Sequence, residues 1–363
     1  MNRISNAAVI VLAAGAGICA PAAATDVVVV RVGDGVATPS TASSPVFLER
    51  HAADGTPRGT VALPTSVNGA NQPFTLGGTS TSEGSLTLST DARFLTLAGY
   101  AAVPGTASVS TSASASVSRV VASIDLKGNV DTSTQLGATA FNSASVRGAA
   151  SVDGSAFWLT GNGASMQGGV WYAPLGSVGG GTHVLATPNN GRVITIAQGQ
   201  LYGDAGSAMF TGVYTIGSGL PTTAGAVATT LPGMSVATAS PYGFMLFDLD
   251  ATPGVDTLYV ADDNSVANGG GIQKWTLVAG TWTQQAGFGA NFTTGMRGLA
   301  AERSGTTVVL YSTTLEPTQN TLVRIVDDGV SAPTASVIAT APANTAYRGV
   351  AIAWDVIFAD GFE

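Results

Sequence analysis

The chain has 363 residues, 14 Lys and Arg against 22 Asp and Glu, and a formal net charge of −8 at pH 7. The positive residues fall singly, so there is no basic stripe to neutralise phosphates and nucleic acid is excluded as a partner. Charged residues make up only 10% of the chain and 47 residues are glycine, a composition suited to close-packed strands with neutral Ser/Thr faces.

The first 24 residues carry Arg3, the apolar stretch AAVIVLAAGAGICA, and Ala22-Ala23-Ala24 before Thr25. A positive start, an apolar stretch and a small-residue cleavage site make a secretory signal peptide. Cleavage near Ala24 would export the mature chain to the periplasm or the extracellular space. The sole cysteine, Cys19, falls inside this segment, and Ile18 before it fits a lipoprotein signal poorly. The mature chain then has no thiol for a disulfide, a metal or nucleophilic attack. No later stretch approaches the roughly 20 apolar residues of a spanning helix.

Three strand-like runs follow: DVVVVRVG at 26–33, PVFLERH at 45–51 and RGTVALP at 58–64. A phrase then recurs, made of an inner strand, a short turn, a second strand and a longer hairpin. It reads EGSLTLSTDARFLTLAG at 83–99, RGAASVDGSAFWLTG at 147–161 and RVITIAQGQLYGD at 192–204. Further copies are YGFMLFDLDATPGVDTLYVAD at 242–262 and MRGLAAERSGTTVVLYSTT at 296–314, with a truncated one, YRGVAIAW, at 347–354. The copies align on Glu83-Gly84, Arg147-Gly148, Tyr242-Gly243, Arg297-Gly298 and Arg348-Gly349, with a reversed Gly191-Arg192, at intervals of 45–64 residues. Four strands with their turns need about 40–50 residues, the spacing of propeller blades. The longest interval contains TASVSTSASASVS at 106–118, a composition that predicts a mobile loop. Asp54-Gly55, Gly128-Asn129, Asp153-Gly154 and Gly280-Thr281 mark turns that want positive φ.

The last copy offers an inner strand without followers, and the first three runs offer strands without an inner partner. Together they make one blade, and such closure protects edge strands. The predicted fold is all-β: a single-domain, six-bladed β-propeller over 25–354, closed by its N- and C-terminal strands. Seven blades result if the long interval hides another, and an array of two-sheet sandwiches is the competing architecture. The final DVIFADGFE, 355–363, reads as a C-terminal tail. Its ending resembles a tag on otherwise unrelated exported bacterial proteins.

The stretch GVDTLYVADDNSVANGGGIQKWTL, 254–277, resembles an NHL-type propeller repeat, through Leu258-Tyr259-Val260-Ala261-Asp262, Asn264 and Ile272. Its turn is lengthened by Gly269-Gly270-Gly271. The resemblance implies a six-bladed propeller with a binding surface at one channel end. It also implies kinship with a wider group that includes scaffolds, ligand binders and gluconolactonase-like enzymes with a channel metal, although the metal-ligand set of those enzymes is not recoverable in this sequence.

In that alignment Glu83, Arg147, Arg192, Tyr242, Arg297 and Arg348 occupy equivalent places at the starts of inner strands. Four of the eleven arginines after residue 24 fall at this register. Guanidiniums facing one axis repel unless an anion joins them, so the ring would form a pocket for a carboxylate or phosphate, on a small ligand or a peptide. The alternative is that each arginine pairs with an aspartate of a neighbouring blade, such as Asp153 or Asp262, and ties blades together. A second constellation, Asp248, Asp250, Asp262 and Asp263 with Asp256, suits calcium or another divalent cation. It lacks the Asp-x-Asp-x-Asp-Gly spacing, and loop aspartates commonly cap turns. No other cofactor is expected. His51 and His183 fall on different blades and no G-x-S-x-G elbow occurs, so serine catalysis is unsupported. Trp158, Trp171, Tyr172, Trp275, Trp282 and Tyr311 suit blade-to-blade packing. The favoured reading is a monomeric, exported, non-catalytic binding module. A metal-dependent hydrolase or lactonase and a cell-surface structural protein are the alternatives.

Overall fold

The alternation of buried side chains along the strands explains how the sheets stack. The run Val27–Val30 is apolar without a break, and all four side chains are fully buried. Val28 and Val30 face one hydrophobic cluster and Val27 and Val29 another. A strand buried on both faces belongs to a sheet covered on both sides. The computed structural model describes residues 25–354 except 126, 208 and 235–238. The expected signal peptide, 1–24, and tail, 355–363, lie outside the described residues.

Four sheets, here C to F, each consist of four antiparallel strands in chain order. Sheet C is Val146–Ser151, Ala156–Gly161, Gly169–Pro174 and Thr182–Leu185. Sheet D is Ile194–Ala197, Gln200–Ala205, Gly212–Ile216 and Ala228–Thr230. Sheet E is Pro241–Phe247, Thr257–Asp262, Gly271–Val278 and Thr281–Gln284. Sheet F is Met296–Ser304, Thr307–Thr314, Thr321–Asp327 and Ala335–Thr340. The other eleven strands form one connected sheet with two four-strand portions. Portion A joins Ala346–Trp354 to Thr25–Val32, Ser43–Ala52 and Pro57–Ala62. Portion B is Leu86–Leu88, Phe94–Tyr100, Arg119–Asp125 and Val130–Asp131. The short strand Thr75–Gly77 bridges A and B.

Closure is direct. The last described strand runs antiparallel to the first, with Val27 opposite Ile352 and Val29 opposite Val350, as the terminal copies predicted. The cores continue the circuit. Leu95 and Leu97 of B pack with Val28 and Leu48 of A, and Phe157 of C with Tyr100 of B. Trp158 of C meets Ile194 of D, Tyr202 of D meets Trp275 of E, and Tyr259 of E meets Leu310 of F. Tyr311 of F returns to Val27 and Ile352 of A. The four tryptophans named above and Tyr311 are buried as packing residues, and Tyr172 is half-buried.

The 106–118 segment corrects an expectation. It packs against the body, with Val109 and Ser114 buried. Its anchor is Arg119, fully buried, whose guanidinium donates to the carbonyls of Ser112, Val117, Phe141 and Ala144 at 2.7–2.9 Å. Low-complexity composition carries no hint of such a pin. The four turn glycines do match: Gly55, Gly128, Gly154 and Gly280 have φ of 79–91°.

Candidate functional site

The glycine of each aligned pair marks where successive inner strands touch. A Cβ on Gly243 would stand 2.6 Å from the Leu299 nitrogen, and one on Gly298 would stand 2.5 Å from the Arg348 oxygen. On Gly349 it would lie 2.2 Å from the Leu86 nitrogen. Hydrogen bonds cross the same seam, from Gly349 N to Gly84 O at 2.9 Å and from Ser85 N to Arg147 O at 3.1 Å. The inner strands therefore meet backbone to backbone at one end. The residue beside each glycine is held there.

A cavity of about 250 Å³ opens at this end and runs between the inner strands of A, B, D, E and F. Of the six predicted ring residues, Glu83, Tyr242, Arg297 and Arg348 line it. Arg147 and Arg192 do not line it, although Arg192 lies over the Tyr242 ring. Arg147 Nη1 donates to Asn190 Oδ1 at 2.6 Å and Gly191 O at 3.1 Å. Arg192 Nη1 donates to Ser240 Oγ at 2.8 Å and Pro241 O at 2.9 Å. Each spans to the entry of the next sheet, through amide, carbonyl and hydroxyl oxygens rather than carboxylates.

Tyr242 is the hub. The guanidinium carbons of Arg192 and Arg297 lie 4.4 and 5.3 Å from its ring centroid, both within cation–π range. Arg297 is ion-paired with Asp263 of the neighbouring sheet, at 2.8 Å. Among the described residues it is the only one of the four ring arginines with a carboxylate partner. Glu83 is buried and already engaged, accepting from Tyr100 Oη at 2.6 Å and Gly77 N at 2.9 Å. Burial, followed by the Glu83 charge and its hydrogen bond, raises the Tyr100 hydroxyl well above its ordinary value.

Arg348 is the least satisfied. It is 5% exposed, and its donors reach only the Tyr347 and Gly78 carbonyls, at 3.2 and 3.4 Å. Its Nε has no hydrogen-bond partner. Burial, with the nearby Arg297 charge, lowers its pKa to about 10, against a partial offset from Glu83. A guanidinium carries five donor hydrogens, so most of its donors have no acceptor.

Sequence reasoning missed Asp204. It is fully buried, its Oδ1 accepts from Val193 N at 2.6 Å, and its Oδ2 has no partner. Burial raises its pKa well above the carboxylate range despite Arg192 and Arg147. Its position at the end of LYGD parallels that of Asp262 at the end of LYVAD, which was the available signal. Asp262 likewise accepts from the inner-strand entry, Ser240 N, at 2.8 Å.

The proposed acidic quartet does not assemble. Asp248 and Asp250 lie in the loop beyond Phe247, while Asp262 pairs with Pro241 at the other end of the same hairpin, about 17 Å away at strand rise. Asp263 is taken by Arg297. Asp248 and Asp250 gather with Asp256 instead, and backbone N–H groups of Leu249, Asp250, Thr252 and Gly254 cap these carboxylates. None of them lines the cavity. The histidines are packing residues: His183 stacks on Trp171 at 4.5 Å, and His51 lies 3.7 Å from Glu49. Among the described residues no helix is long and apolar enough to cross a membrane.

No family model matches the chain, and no curated protein sequence does either. Solved structures are similar in fold. A nidogen/laminin complex structure aligns with a TM-score of 0.51 at 14% identity, covering 91% of this chain and 98% of that one. A 6-phosphogluconolactonase-like protein of Bacteroides uniformis aligns at TM-score 0.44 and 12% identity, over 87% and 83% of the two chains. AztD of Citrobacter koseri aligns at TM-score 0.38 and 10% identity, over 91% and 98%. The stacked four-stranded antiparallel sheets and the nidogen/laminin likeness are consistent with a β-propeller fold.

Proposed function

We propose that the chain is a six-bladed β-propeller, exported by its first 24 residues, that serves as a non-catalytic binding module for a small anion or a peptide carboxylate at its channel mouth. Sheets A to F, each packed on two others, and the pairing of the terminal strands support the blade count. The observation that carries the binding role is Arg348: a buried cation on the cavity wall with no ion pair among the described residues, only a partial offset from Glu83, and an orphaned Nε. A buried charge without a partner is destabilising unless something pairs with it. A ligand anion would be that partner. The lactonase-like reading wants a divalent ion in the channel, and the one carboxylate trio found among the described residues lies away from the cavity.

Melting the purified mature protein at constant ionic strength in acetate, phosphate or citrate tests this reading. Saturation a hundredfold above Kd stabilises a fold by about 2.7 kcal/mol. The melting temperature should climb with at least one anion, and the climb should vanish in Arg348→Met. Equal responses from wild type and variant would place any anion effect elsewhere. No response to any anion would favour a structural role.

A further inference from the structure

Behind the charged mouth the cavity wall is largely hydrocarbon. Leu86, Leu88, Ile196, Met245, Leu299 and Ile352 face it from the inner strands of B, D, E, F and A. Several of the lining hydroxyls are already engaged. Thr87 donates to Ala149 O at 2.6 Å and Thr313 to Arg348 O at 2.6 Å. A strongly hydrated occupant such as a sugar phosphate would lose water along the hydrocarbon part of this wall, where no polar group replaces it. An apolar body would shed water at a gain. The volume, about 250 Å³, lies below the usual range of roughly 300–1,000 Å³ for small-molecule sites, so the occupant is compact.

We infer that the channel holds a compact monocarboxylate with an apolar body, its carboxylate at Arg348 and Arg297 and its hydrocarbon between the inner strands. The inference rests on the anion reading above and adds the chemistry of the rest of the ligand. It assigns the cavity depth a role in selectivity, because the mouth alone would accept acetate and octanoate equally. Arg297 keeps spare donors for this task, since its Nε and Nη2 serve Asp263 while Nη1 makes only a 3.3 Å contact to Leu315 O. Met245 is half-buried on the wall, and an unbranched thioether adapts to chains of different shape.

Titration calorimetry of the intact mature protein with acetate, butyrate, hexanoate, octanoate, octanol and inorganic phosphate tests the inference without any mutation. Each methylene buried is worth about 0.8 kcal/mol, so affinity should rise about fourfold per methylene until the cavity is full. Octanol should bind at least tenfold more weakly than octanoate. Equal affinity for acetate, phosphate and octanoate would overturn the apolar-body inference and leave the anion site standing. Octanol binding as tightly as octanoate would overturn the anion reading. No binding by any of the six would overturn both.

Discussion

Replacing Arg348 by methionine separates a ligand-binding arginine from a structural strut. In the folded chain this guanidinium is lowered well below its ordinary value, to about 10. One pK unit corresponds to about 1.4 kcal/mol, so the charged form is disfavoured in the fold by about 3 kcal/mol. Its two carbonyl bonds, at 3.2 and 3.4 Å, are long and offset only part of this. Methionine keeps the stem that packs on Gly84 and removes the charge, an exchange that is commonly neutral or stabilising for buried ions. Arg348→Met should therefore be as stable as wild type, or more stable by up to about 3 kcal/mol, in urea denaturation at pH 7 without added anion. The pH dependence follows from the lowered value. The wild-type penalty is complete below about pH 10 and fades as pH rises from there toward the ordinary guanidinium value, so the gap between the proteins should narrow above pH 10. A variant less stable by more than about 1 kcal/mol would refute the reasoning and make Arg348 a blade tie like Arg147.

Three further expectations concern the frame that holds the site. Gly349→Ala should cost several kcal/mol or prevent folding, because its Cβ would meet backbone atoms at 2.2 and 2.3 Å; Gly305→Ala, with open space around it, should cost about 1 kcal/mol by thermal denaturation. Arg119→Lys should raise protease cleavage and amide exchange within 106–118, since one ammonium cannot reach four carbonyls placed around a planar fork. Glu49→Gln tests the closing seam, where Glu49 accepts from Arg31 and from Tyr347 Oη at 2.9 Å and lies near His51. Burial alone would raise the Glu49 pKa, but the nearby His51 and hydrogen bonds from Tyr347 and Arg31 hold it below 4.5. His51 is raised above 6.5 because Glu49 and the Gly55 carbonyl outweigh burial. The Glu49 contribution is present above pH 4.5 and lost as pH falls through its lowered value, while that of His51 is present below pH 6.5 and lost as pH rises through its raised one. Glu49→Gln should thus destabilise by about 1–3 kcal/mol near pH 5.5 and flatten both flanks of the stability profile.

The strands and their stacking were legible because their physics is local. Four consecutive valines can be buried only in a strand covered on both faces, and the glycines after the entries at Tyr242, Arg297 and Arg348 signal backbones too close for a Cβ. Terminal pairing was legible as well, since each end lacked what the other supplied. The direction of each arginine was not. Register placed Arg147, Arg192, Arg297 and Arg348 alike, yet two reach across to the next sheet because acceptors wait there, Asn190 and Gly191 for one and Ser240 and Pro241 for the other. Proximity in sequence also misled the grouping of aspartates, because a hairpin carries Asp250 and Asp262 to opposite ends. The pin at Arg119 and the orphaned oxygen of Asp204 depend on tertiary neighbours, and no spacing encodes those.

A crystal structure of the mature protein with 8-bromooctanoate, phased to locate the bromine, tests the central claim most directly. The carboxylate should lie within hydrogen-bond distance of Arg348 or Arg297, with the bromine between the inner strands near Met245 and Ile196. Bromine outside the channel, or a carboxylate turned away from both guanidiniums, would contradict the account.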